Sequence, residues 1–540
     1  MKKILALAIA LLMVLPLCIG CADGGGNGAT TTVQQGGEQT PGGTTASDEG
    51  TTAPGADGTT APDGGATTDP SGDNTQPPVS DAIELPTEKL NMTVKVLTRG
   101  NNWGAWDIVY DTSETPEVVD VLNDAIKTRN DAIYAAYGVD FEKIVAPGTV
   151  KATAELKLQS HTHEYDILLP TIAEAGQLAQ QGFLIPTDEL TYMDTDQAWY
   201  DQRCLEDLQI KGKNYFFLSD ITAVDLDAIW TFFFNHKMIR DYGLENPYEL
   251  VANYDVDGAE KWTYDKMLEM CEAVTPVRAE DTPTKTSGWG IVGHDYIITS
   301  VYIGSGERVA TADANGDISL TMNNNSGRVV NIMEKLIELK PYWCRYGLTS
   351  NAYAGDYGPA ERYGFEPGDD YPELIGVFTG GHSLFLGEVL STLRTNSFVE
   401  TDLEIGVLPT PMFDDTQKEY YCAVNDKASA MAIPITSLEI EKMSIIVEAW
   451  ARESHKTLLP AYYDNCMTNR YAKDNITSDI LDLIFESRTY DLGIYYGWGE
   501  LANRFTALTY ASKTNFSSMY RTHSVVAEMQ LEEFVETFGG

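Results

Sequence analysis

Two tryptophans and several polar side chains follow the first predicted strand, in the run Arg99-Gly100-Asn101-Asn102-Trp103-Gly104-Ala105-Trp106-Asp107. Tryptophan offers a flat apolar face, whereas arginine, asparagine and aspartate offer planar hydrogen-bonding groups. A loop with both kinds of group can bind a small solute that has apolar faces and polar edges. We therefore select Trp103, Trp106, Arg99 and Asp107 as candidate solute-binding residues.

Three further residues are candidates for the same kind of site: Thr171, Trp289 and Trp498. Thr171 follows a short apolar strand, and Thr171-Ile172-Ala173-Glu174 has the sequence of a capping box that begins a helix. Backbone N–H groups at such a helix start can bind a polar ligand. Trp498 lies between two glycines, which favours an exposed loop. For each aromatic side chain, packing in a core is the alternative interpretation.

Common catalytic and metal-binding motifs do not occur in the sequence. His161-Thr162-His163-Glu164 lacks the HExxH spacing of zinc sites. Asp313-Ala314-Asn315-Gly316-Asp317 lacks the terminal glutamate of a calcium loop, and Asn315-Gly316 predicts a hairpin turn instead. We therefore expect no catalytic residue, no metal and no cofactor. Paired carboxylates for glycoside hydrolysis stay open, because the chain has 80 acidic residues.

The N-terminus has the order of segments typical of an exported lipoprotein. Two lysines precede the apolar stretch Ile4–Leu17, which is too short to span a bilayer comfortably, and Gly20-Cys21 ends it. We predict a signal peptide over residues 1–20 and acylation of Cys21, for example with palmitate, which holds the protein on the outer face of the cell membrane. A plain signal peptide is the alternative, because Cys18 stands where a lipoprotein signal usually has leucine.

Residues 21–88 have the composition of a disordered, lipid-anchored linker. Gly, Thr, Ala, Asp and Pro dominate this segment, with near-repeats such as Thr51-Thr52-Ala53-Pro54. So few large apolar side chains cannot offset the entropy of ordering the chain. A flexible coil of about sixty residues has a root-mean-square span of about 40 Å. The linker is therefore long enough to lift a domain away from a membrane surface.

Charge and cysteine content narrow the classes of partner and compartment. The formal net charge of −43 argues against nucleic acid, because phosphate binding depends on clustered lysine and arginine. Removal of Cys18 with the signal and acylation of Cys21 leave five of the seven cysteines: Cys204, Cys271, Cys344, Cys422 and Cys466. That number is odd and no CxxC spacing occurs, so we expect buried, unpaired thiols.

Strands and helices alternate from residue 89 onward. Leu90–Thr98, Val139–Val145 and Tyr165–Leu169 read as strands with helices between them. This βαβ order predicts an α/β fold with mostly parallel sheets flanked by helices. Later in the chain, Thr263 and Ser326 are predicted helix caps, and Thr436-Ser437-Leu438-Glu439 is a second predicted capping box. The segment 89–540 is too long for a single core, so we expect two lobes.

Four stretches, in order along the chain, resemble a known family. They are Tyr165-Asp166-Ile167-Leu168 with Leu178-Ala179-Gln180-Gln181-Gly182-Phe183-Leu184-Ile185-Pro186; Phe234-Asn235-His236-Lys237-Met238 with Tyr242-Gly243-Leu244-Glu245-Asn246-Pro247-Tyr248 and Trp262-Thr263-Tyr264-Asp265; Ile405-Gly406-Val407-Leu408-Pro409-Thr410-Pro411; and Ile433-Pro434 with the helix predicted after it. With the lipoprotein start, they resemble the family 1-like extracellular solute-binding proteins of ABC importers, in the branch that mostly carries sugars.

The resemblance implies a two-lobe, type II periplasmic-binding-protein-like clamshell that holds its solute in the cleft between the lobes. Lobe 1 is expected over roughly 89–225 and 409–475, and lobe 2 over roughly 226–408 and 476–540. Glu388 lies where relatives often contact the ligand, with a solvated helix start as its alternative role.

The implied function is that of a monomeric, extracellular binding protein which delivers a carbohydrate or oligosaccharide to ABC permease subunits. The alternatives are a membrane-anchored extracellular carbohydrate-active enzyme and a binding protein for a non-sugar solute such as a peptide.

Overall fold

Helices and strands alternate through residues 82–100, 107–110, 117–276, 284–346, 371–463 and 475–539, which are the residues that the computed structural model describes. The signal peptide, Cys21, nearly all of the linker, Trp103, Trp106 and Cys466 lie outside these residues.

The strands are β1 (Met92–Thr98), β2 (Val139–Val145), β3 (Ile167–Leu168), β4 (Trp230–Asn235), β5 (Trp289–His294), β6 (Ala310–Ala312), β7 (Ile318–Leu320), β8 (Trp343–Tyr346), β9 (Ser383–Val389), β10 (Ile405–Leu408), β11 (Cys422–Ala423) and β12 (Arg488–Thr489). The α-helices are α1 (Glu117–Tyr137), α2 (Val150–Gln159), α3 (Ile172–Gln180), α4 (Gln202–Asp207), α5 (Val224–Asp227), α6 (His236–Tyr242), α7 (Pro247–Ala252), α8 (Tyr264–Val274), α9 (Tyr296–Gly304), α10 (Ser326–Leu339), α11 (Tyr371–Thr379), α12 (Asn396–Val399), α13 (Ile440–Pro460), α14 (Asn475–Glu486), α15 (Leu492–Tyr496), α16 (Leu501–Tyr510) and α17 (Phe516–Glu536).

The first sheet has the strand order β2-β1-β3, and both of its strand pairs are parallel. The apolar side chains Val94, Val96 and Leu97 of β1 are fully buried. A segment from much later in the chain extends this sheet, because Ala432 pairs antiparallel with Leu168. Helix α13 then packs on α1, and the indole of Trp450 stacks on the Phe141 ring at 4.0 Å between ring centroids. We call this sheet and the helices packed on it lobe 1.

The second sheet has the strand order β10-β4-β9-β5-β8. Strands β9, β5 and β8 are parallel, whereas β4 runs antiparallel to both of its neighbours. Because β4 is antiparallel to β9, Trp230 at the start of β4 pairs with Val389 at the end of β9. Trp230 therefore lies at the end of the sheet where the parallel strands have their carboxyl ends. We call this sheet and the helices packed on it lobe 2.

Chain segments lie side by side where the chain passes between the two sheets. Ile229 pairs antiparallel with Val424, and β11 pairs parallel with β12. Helices α15, α16 and α17 follow β12, and α16 packs on α9 of lobe 2 through Phe505 and Tyr302, whose ring centroids are 4.8 Å apart. The crossing region is thus built from distant parts of the sequence.

The local predictions have mixed outcomes. The capping box at Thr171 and the cap at Thr263 are confirmed, as is the hairpin turn between β6 and β7, where Gly316 has φ 73°. The second capping box is wrong, because α13 begins only after Glu439, whose side chain makes no capping hydrogen bond. The cap of α10 is Asn325, one residue before the predicted Ser326.

Burial agrees with the expectation for the cysteines. Cys204, Cys271, Cys344 and Cys422 are buried and form no disulfide. Burial also raises the pKa of each of the thiols Cys204, Cys271 and Cys422, which keeps them protonated. Among the helices that the structure describes, each is too short or too polar to cross a bilayer.

Candidate functional site

A cavity of about 120 Å³ lies at the crossing region between the two sheets. Its wall is formed by the start of β4, by α9, by the chain on either side of Val424, by the end of β12, and by α15 and α16. The lining residues used below are Trp230, Tyr296, Asn425, Asp426, Asp491, Tyr495, Gly497, Glu500 and Asn503. One water molecule needs about 10–15 Å³ of such space, so the cavity has room for several waters or for part of a small solute.

The apolar wall of the cavity is a pair of stacked aromatic rings. The indole of Trp230 lies 5.5 Å from the Tyr296 ring, with 25° between their planes. Trp230 is held by the β4 ladder, whereas Tyr296 begins α9 immediately after β5 ends and its side chain is half-buried. Burial raises the pKa of Tyr296 to about 12, so its hydroxyl stays protonated and can donate a hydrogen bond. The pair offers a flat apolar surface with a polar tip.

Polar groups of the crossing segment form another wall. The Asn425 N–H donates to the Ala228 carbonyl at 2.9 Å, which fixes this segment against the start of β4. Asp426 also lines the cavity, and its carboxylate is paired with the Lys427 ammonium at 2.7 Å. The Tyr495 hydroxyl donates to the Val424 carbonyl at 3.0 Å, which fixes α15 against the same segment. Neighbouring strands and helices thus hold these groups in fixed positions.

Asp491 lines the cavity, but its carboxylate accepts hydrogen bonds from backbone N–H groups. It accepts hydrogen bonds from the N–H groups of Val309 at 2.6 Å, Gly493 at 2.8 Å and Ile494 at 3.2 Å. Burial raises its pKa, and these N–H donors oppose that shift. Asp491 therefore caps α15 and joins it to the β6–β7 region, a structural role at the edge of the site.

Two of the residues selected from sequence come together beside the cavity. Arg99, at the end of β1, donates through Nη2 to the Lys427 carbonyl and to Ser429 Oγ, the latter at 3.0 Å. Thr171 forms a backbone bridge with the same Ser429. Burial lowers the pKa of Arg99, whereas the carboxylates of Glu174 and Asp426 raise it. Arg99 and Thr171 thus attach lobe 1 to the segment that carries Asp426.

Asp107 is buried inside lobe 1. Its Oδ2 accepts from the Ala223 N–H at 2.7 Å, and its carbonyl accepts from Arg129 Nη2 at 2.6 Å. Burial raises the pKa of Asp107, and the Arg129 guanidinium opposes that shift. In this structure Asp107 connects the segment after the first loop to α1 and to the start of α5.

Trp289, Glu388 and Trp498 are all buried and are not among the residues that line the cavity. Trp289 begins β5 and its Nε1 donates to the Thr284 carbonyl at 2.9 Å. Glu388 lies in β9 next to Val389, the residue that pairs with Trp230. Trp498 packs edge-on against Phe534 of α17, with 5.5 Å between ring centroids. The structure therefore does not bring these three together with Arg99 and Thr171.

Tyr296, Asp426, Glu500 and Asn503 line the cavity but were not selected from sequence. The position of Tyr296 could have indicated a binding residue, because it lies just after the end of β5 and ligands bind outside the carboxyl ends of parallel strands. Trp230 is both buried and part of the cavity wall. Glu500 lies only two residues beyond the selected Trp498, but no pattern of residue types marks it.

The arrangement suits recognition of a neutral or weakly polar solute. The described lining residues include three carboxylates and no lysine or arginine, which disfavours anionic solutes. In the described ranges, no group of three or more His, Cys, Asp or Glu side chains is placed to hold a metal ion. A cavity lined by a stacked aromatic pair together with carboxylate and amide groups can sort solutes by shape and hydrogen bonding.

Comparisons with known proteins identify the fold. No family model and no curated protein matches the sequence. A solved cyclo/maltodextrin-binding protein complexed with maltotetraose is similar at a TM-score of 0.50 and 11% identity, over 81% of this chain and 97% of that chain. The GacH receptor of Streptomyces glaucescens is similar at a TM-score of 0.49 and 12% identity, over 83% and 99% of the two chains. At 11% identity the likeness to the cyclo/maltodextrin-binding protein concerns the fold alone, and the expected two-lobe binding-protein fold is confirmed.

Proposed function

We propose that this chain is an extracellular solute-binding lipoprotein which captures a neutral carbohydrate or oligosaccharide in the crossing-region cavity and delivers it to an ABC importer permease. The single observation that carries the proposal is the Trp230–Tyr296 stack, which faces the same cavity as fixed carboxylate and amide groups. Sugar rings present apolar C–H faces to aromatic rings and present hydroxyl edges to planar polar groups. The cavity combines both kinds of partner.

The fold supports this function. The similar cyclo/maltodextrin-binding protein holds maltotetraose, and it has the same two-lobe architecture over nearly its whole length. The cavity is lined by the start of β4 in lobe 2 and by the segment that leads into lobe 1, so a bound solute contacts lobe 2 and the crossing segment together. Binding then favours the conformation in which the lobes are closed on the solute, and a permease can recognise that conformation.

Anchoring and the cavity mouth belong to the same proposal. Acylation of Cys21 holds the domain at the outer face of the membrane, next to its permease, on the linker 21–88. Trp103 and Trp106 follow Arg99 closely in sequence, and Arg99 contacts the segment that carries Asp426. We propose that both tryptophans flank the solute at the cavity mouth.

A ligand screen tests the proposal. Melting temperatures of the full chain are measured with maltotetraose, cellotetraose, xylotetraose, mannitol, glycerophosphocholine and tetraalanine, followed by calorimetric titration of each solute that stabilises the protein. We expect at least one of the four carbohydrates to stabilise it and neither non-sugar solute to do so. Stabilisation by tetraalanine or glycerophosphocholine alone contradicts the carbohydrate assignment. Steady release of products from a tetrasaccharide contradicts a binding function and favours the alternative, an extracellular carbohydrate-active enzyme.

Variants locate the binding site within the same screen. Tyr296→Ala removes one ring of the stack and should weaken Kd about five- to 150-fold, since such aromatic anchors contribute about 1–3 kcal/mol. Trp103→Ala and Trp106→Ala are expected to weaken it by a similar factor. The matched control is Tyr463→Ala, because Tyr463 is also half-buried but lies outside the cavity, where its hydroxyl contacts Ser478. If Tyr463→Ala and Tyr296→Ala change Kd equally, the cavity is not the binding site.

A further inference from the structure

The cavity wall between α15 and α16 has an unusual backbone conformation. Gly497, Gly499 and Glu500 have φ values of 64°, 59° and 56°, so three residues within four positions adopt the left-handed conformation. Glycine adopts this conformation readily, but a residue with a Cβ atom does so only at an energetic penalty. Neighbouring contacts hold the turn in place, since the Gly499 N–H donates to Gln530 Oε1 of α17 at 2.7 Å.

Among the described non-glycine residues with the left-handed conformation, Glu500 differs from the others because it lines the cavity. The others in the described chain are Asn91, His161, Lys211 and Ser512, and none of these lines the cavity. Glycine at position 500 would remove the strain, as it does at 497 and 499. Strained backbone of this kind concentrates at functional sites, where the surrounding structure maintains it. A function of the Glu500 side chain explains why glutamate stands there.

The Glu500 carboxylate does not cap the helix that follows it. Glu500 is the N-cap residue of α16, but its side chain makes no capping hydrogen bond. It is paired instead with Arg504, one turn further along the same helix, at 2.6 Å, and this ion pair holds the carboxylate in place. Asn503, three residues further on the same helix face, also lines the cavity. A carboxylate acceptor and an amide that both donates and accepts are therefore neighbours on one wall.

We propose that Glu500 is a specificity-determining residue, and that its carboxylate and the Asn503 amide together bind two adjacent hydroxyl groups of the solute. This inference rests on the carbohydrate-binding function proposed above. One hydroxyl donates to the carboxylate of Glu500. The next hydroxyl accepts from the Asn503 amide N–H and donates to the amide oxygen. A wall of this kind selects solutes with a vicinal diol over deoxygenated or alkylated analogues, which offer the carboxylate and the amide one hydroxyl group fewer.

The experiment separates a binding role from a structural one, because strain and binding predict opposite changes. Glu500→Gly, Glu500→Gln and Asn503→Ala are made in the full chain, with His161→Gly as the matched control. His161 is exposed, has φ 51° and lies outside the cavity. Melting temperature is measured without ligand, and Kd is measured by calorimetry with maltotetraose, cellotetraose, xylotetraose and mannitol.

We expect Glu500→Gly to weaken Kd about ten- to hundredfold, because a hydrogen bond to a charged acceptor is lost, while its melting temperature stays the same or rises by about 1–2 °C. Glu500→Gln and Asn503→Ala should weaken Kd by smaller factors. His161→Gly should show the same thermal behaviour with unchanged Kd. Unchanged Kd in Glu500→Gly overturns the inference, as does a lower melting temperature, which assigns Glu500 a structural role. If the parent protein binds none of the four carbohydrates, the proposed function itself fails and the inference falls with it.

Discussion

Substitution of Gly176 by alanine tests how tightly lobe 1 is fitted to the cavity wall. Gly176 lies inside α3, and a Cβ atom at this position would be 1.8 Å from the Tyr496 hydroxyl and 2.2 Å from the nearest ring carbon. The Tyr496 ring cannot move aside easily, because it packs on Phe534 at 4.6 Å and on Trp498 at 5.3 Å between centroids. We expect Gly176→Ala to destabilise the protein.

The magnitude follows from two opposing effects. Overpacking of this kind costs about 1–3 kcal/mol of unfolding free energy. Alanine inside a helix increases the free energy of unfolding by about 0.5–1 kcal/mol relative to glycine. Gly376→Ala in α11 isolates the second effect, because Gly376 is exposed and a Cβ atom there meets nothing within 4 Å. The difference between the two variants therefore measures the clash alone, about 1–3 kcal/mol.

Urea unfolding, followed by tryptophan fluorescence, provides the measurement. Gly176→Ala should lower the transition midpoint and Gly376→Ala should raise it slightly, both with unchanged slope. In a Tyr496→Ala background the clash is gone, so Gly176→Ala should no longer destabilise the protein. Equal midpoints for Gly176→Ala and Gly376→Ala would refute the reasoning, since they would mean that α15 does not press on α3 in solution.

Two further predictions concern the anchor and the pH response. Cys21→Ser should release the protein into the medium or leave its signal uncleaved, and mass spectrometry of an unacylated mature N-terminus starting elsewhere would contradict the lipoprotein assignment. Burial raises the pKa of Asp207 to about 6 from an ordinary value near 3.8, so the folded protein holds a proton that the unfolded chain releases between these pH values. Stability due to this group therefore falls as pH rises from about 4 to 6, by at most about 3 kcal/mol. Asp207→Asn, which keeps an acceptor for the Tyr490 N–H, should be more stable than the parent at pH 7 and no more stable at pH 4. Thermal melts across this range check the difference, and an equal gain at both pH values would exclude Asp207 as the titrating group.

Local sequence patterns predicted the elements well where a few neighbouring residues decide the structure. Strand β1 depends on apolar alternation, and the cap at Thr171 depends on one side-chain hydrogen bond; both are visible in short stretches of sequence. The failure at Thr436 has a tertiary cause, because Ile435 is hydrogen-bonded to the Phe183 carbonyl and the chain turns into the helix only after Glu439. No short window contains that contact.

The candidate site was harder to predict, because its walls come from distant segments. Trp498 sits between glycines as an exposed residue would, but Phe534 of α17 covers it. Trp289 begins β5 and Tyr296 follows the other end of that strand, so only the direction of the strand decides that Tyr296 lies at the cavity. The direction of β4 relative to β9 likewise decides that Trp230 reaches the cavity. Residue types alone do not determine the strand directions that place these side chains at the cavity.

The return of the chain to the first sheet sets an order of folding. All strands of the lobe 2 sheet lie between Trp230 and Leu408, so that sheet can pair as soon as this stretch has been synthesised. The first sheet needs the segment around Ala432 and then α13, although β1 to β3 emerge long before them. Pairings between such distant segments form slowly, and until they form the edge of β3 is open to other strands. The N-terminal half of lobe 1 therefore spends the longest time without its partners, and it is the part of the newly made chain most in need of protection from aggregation.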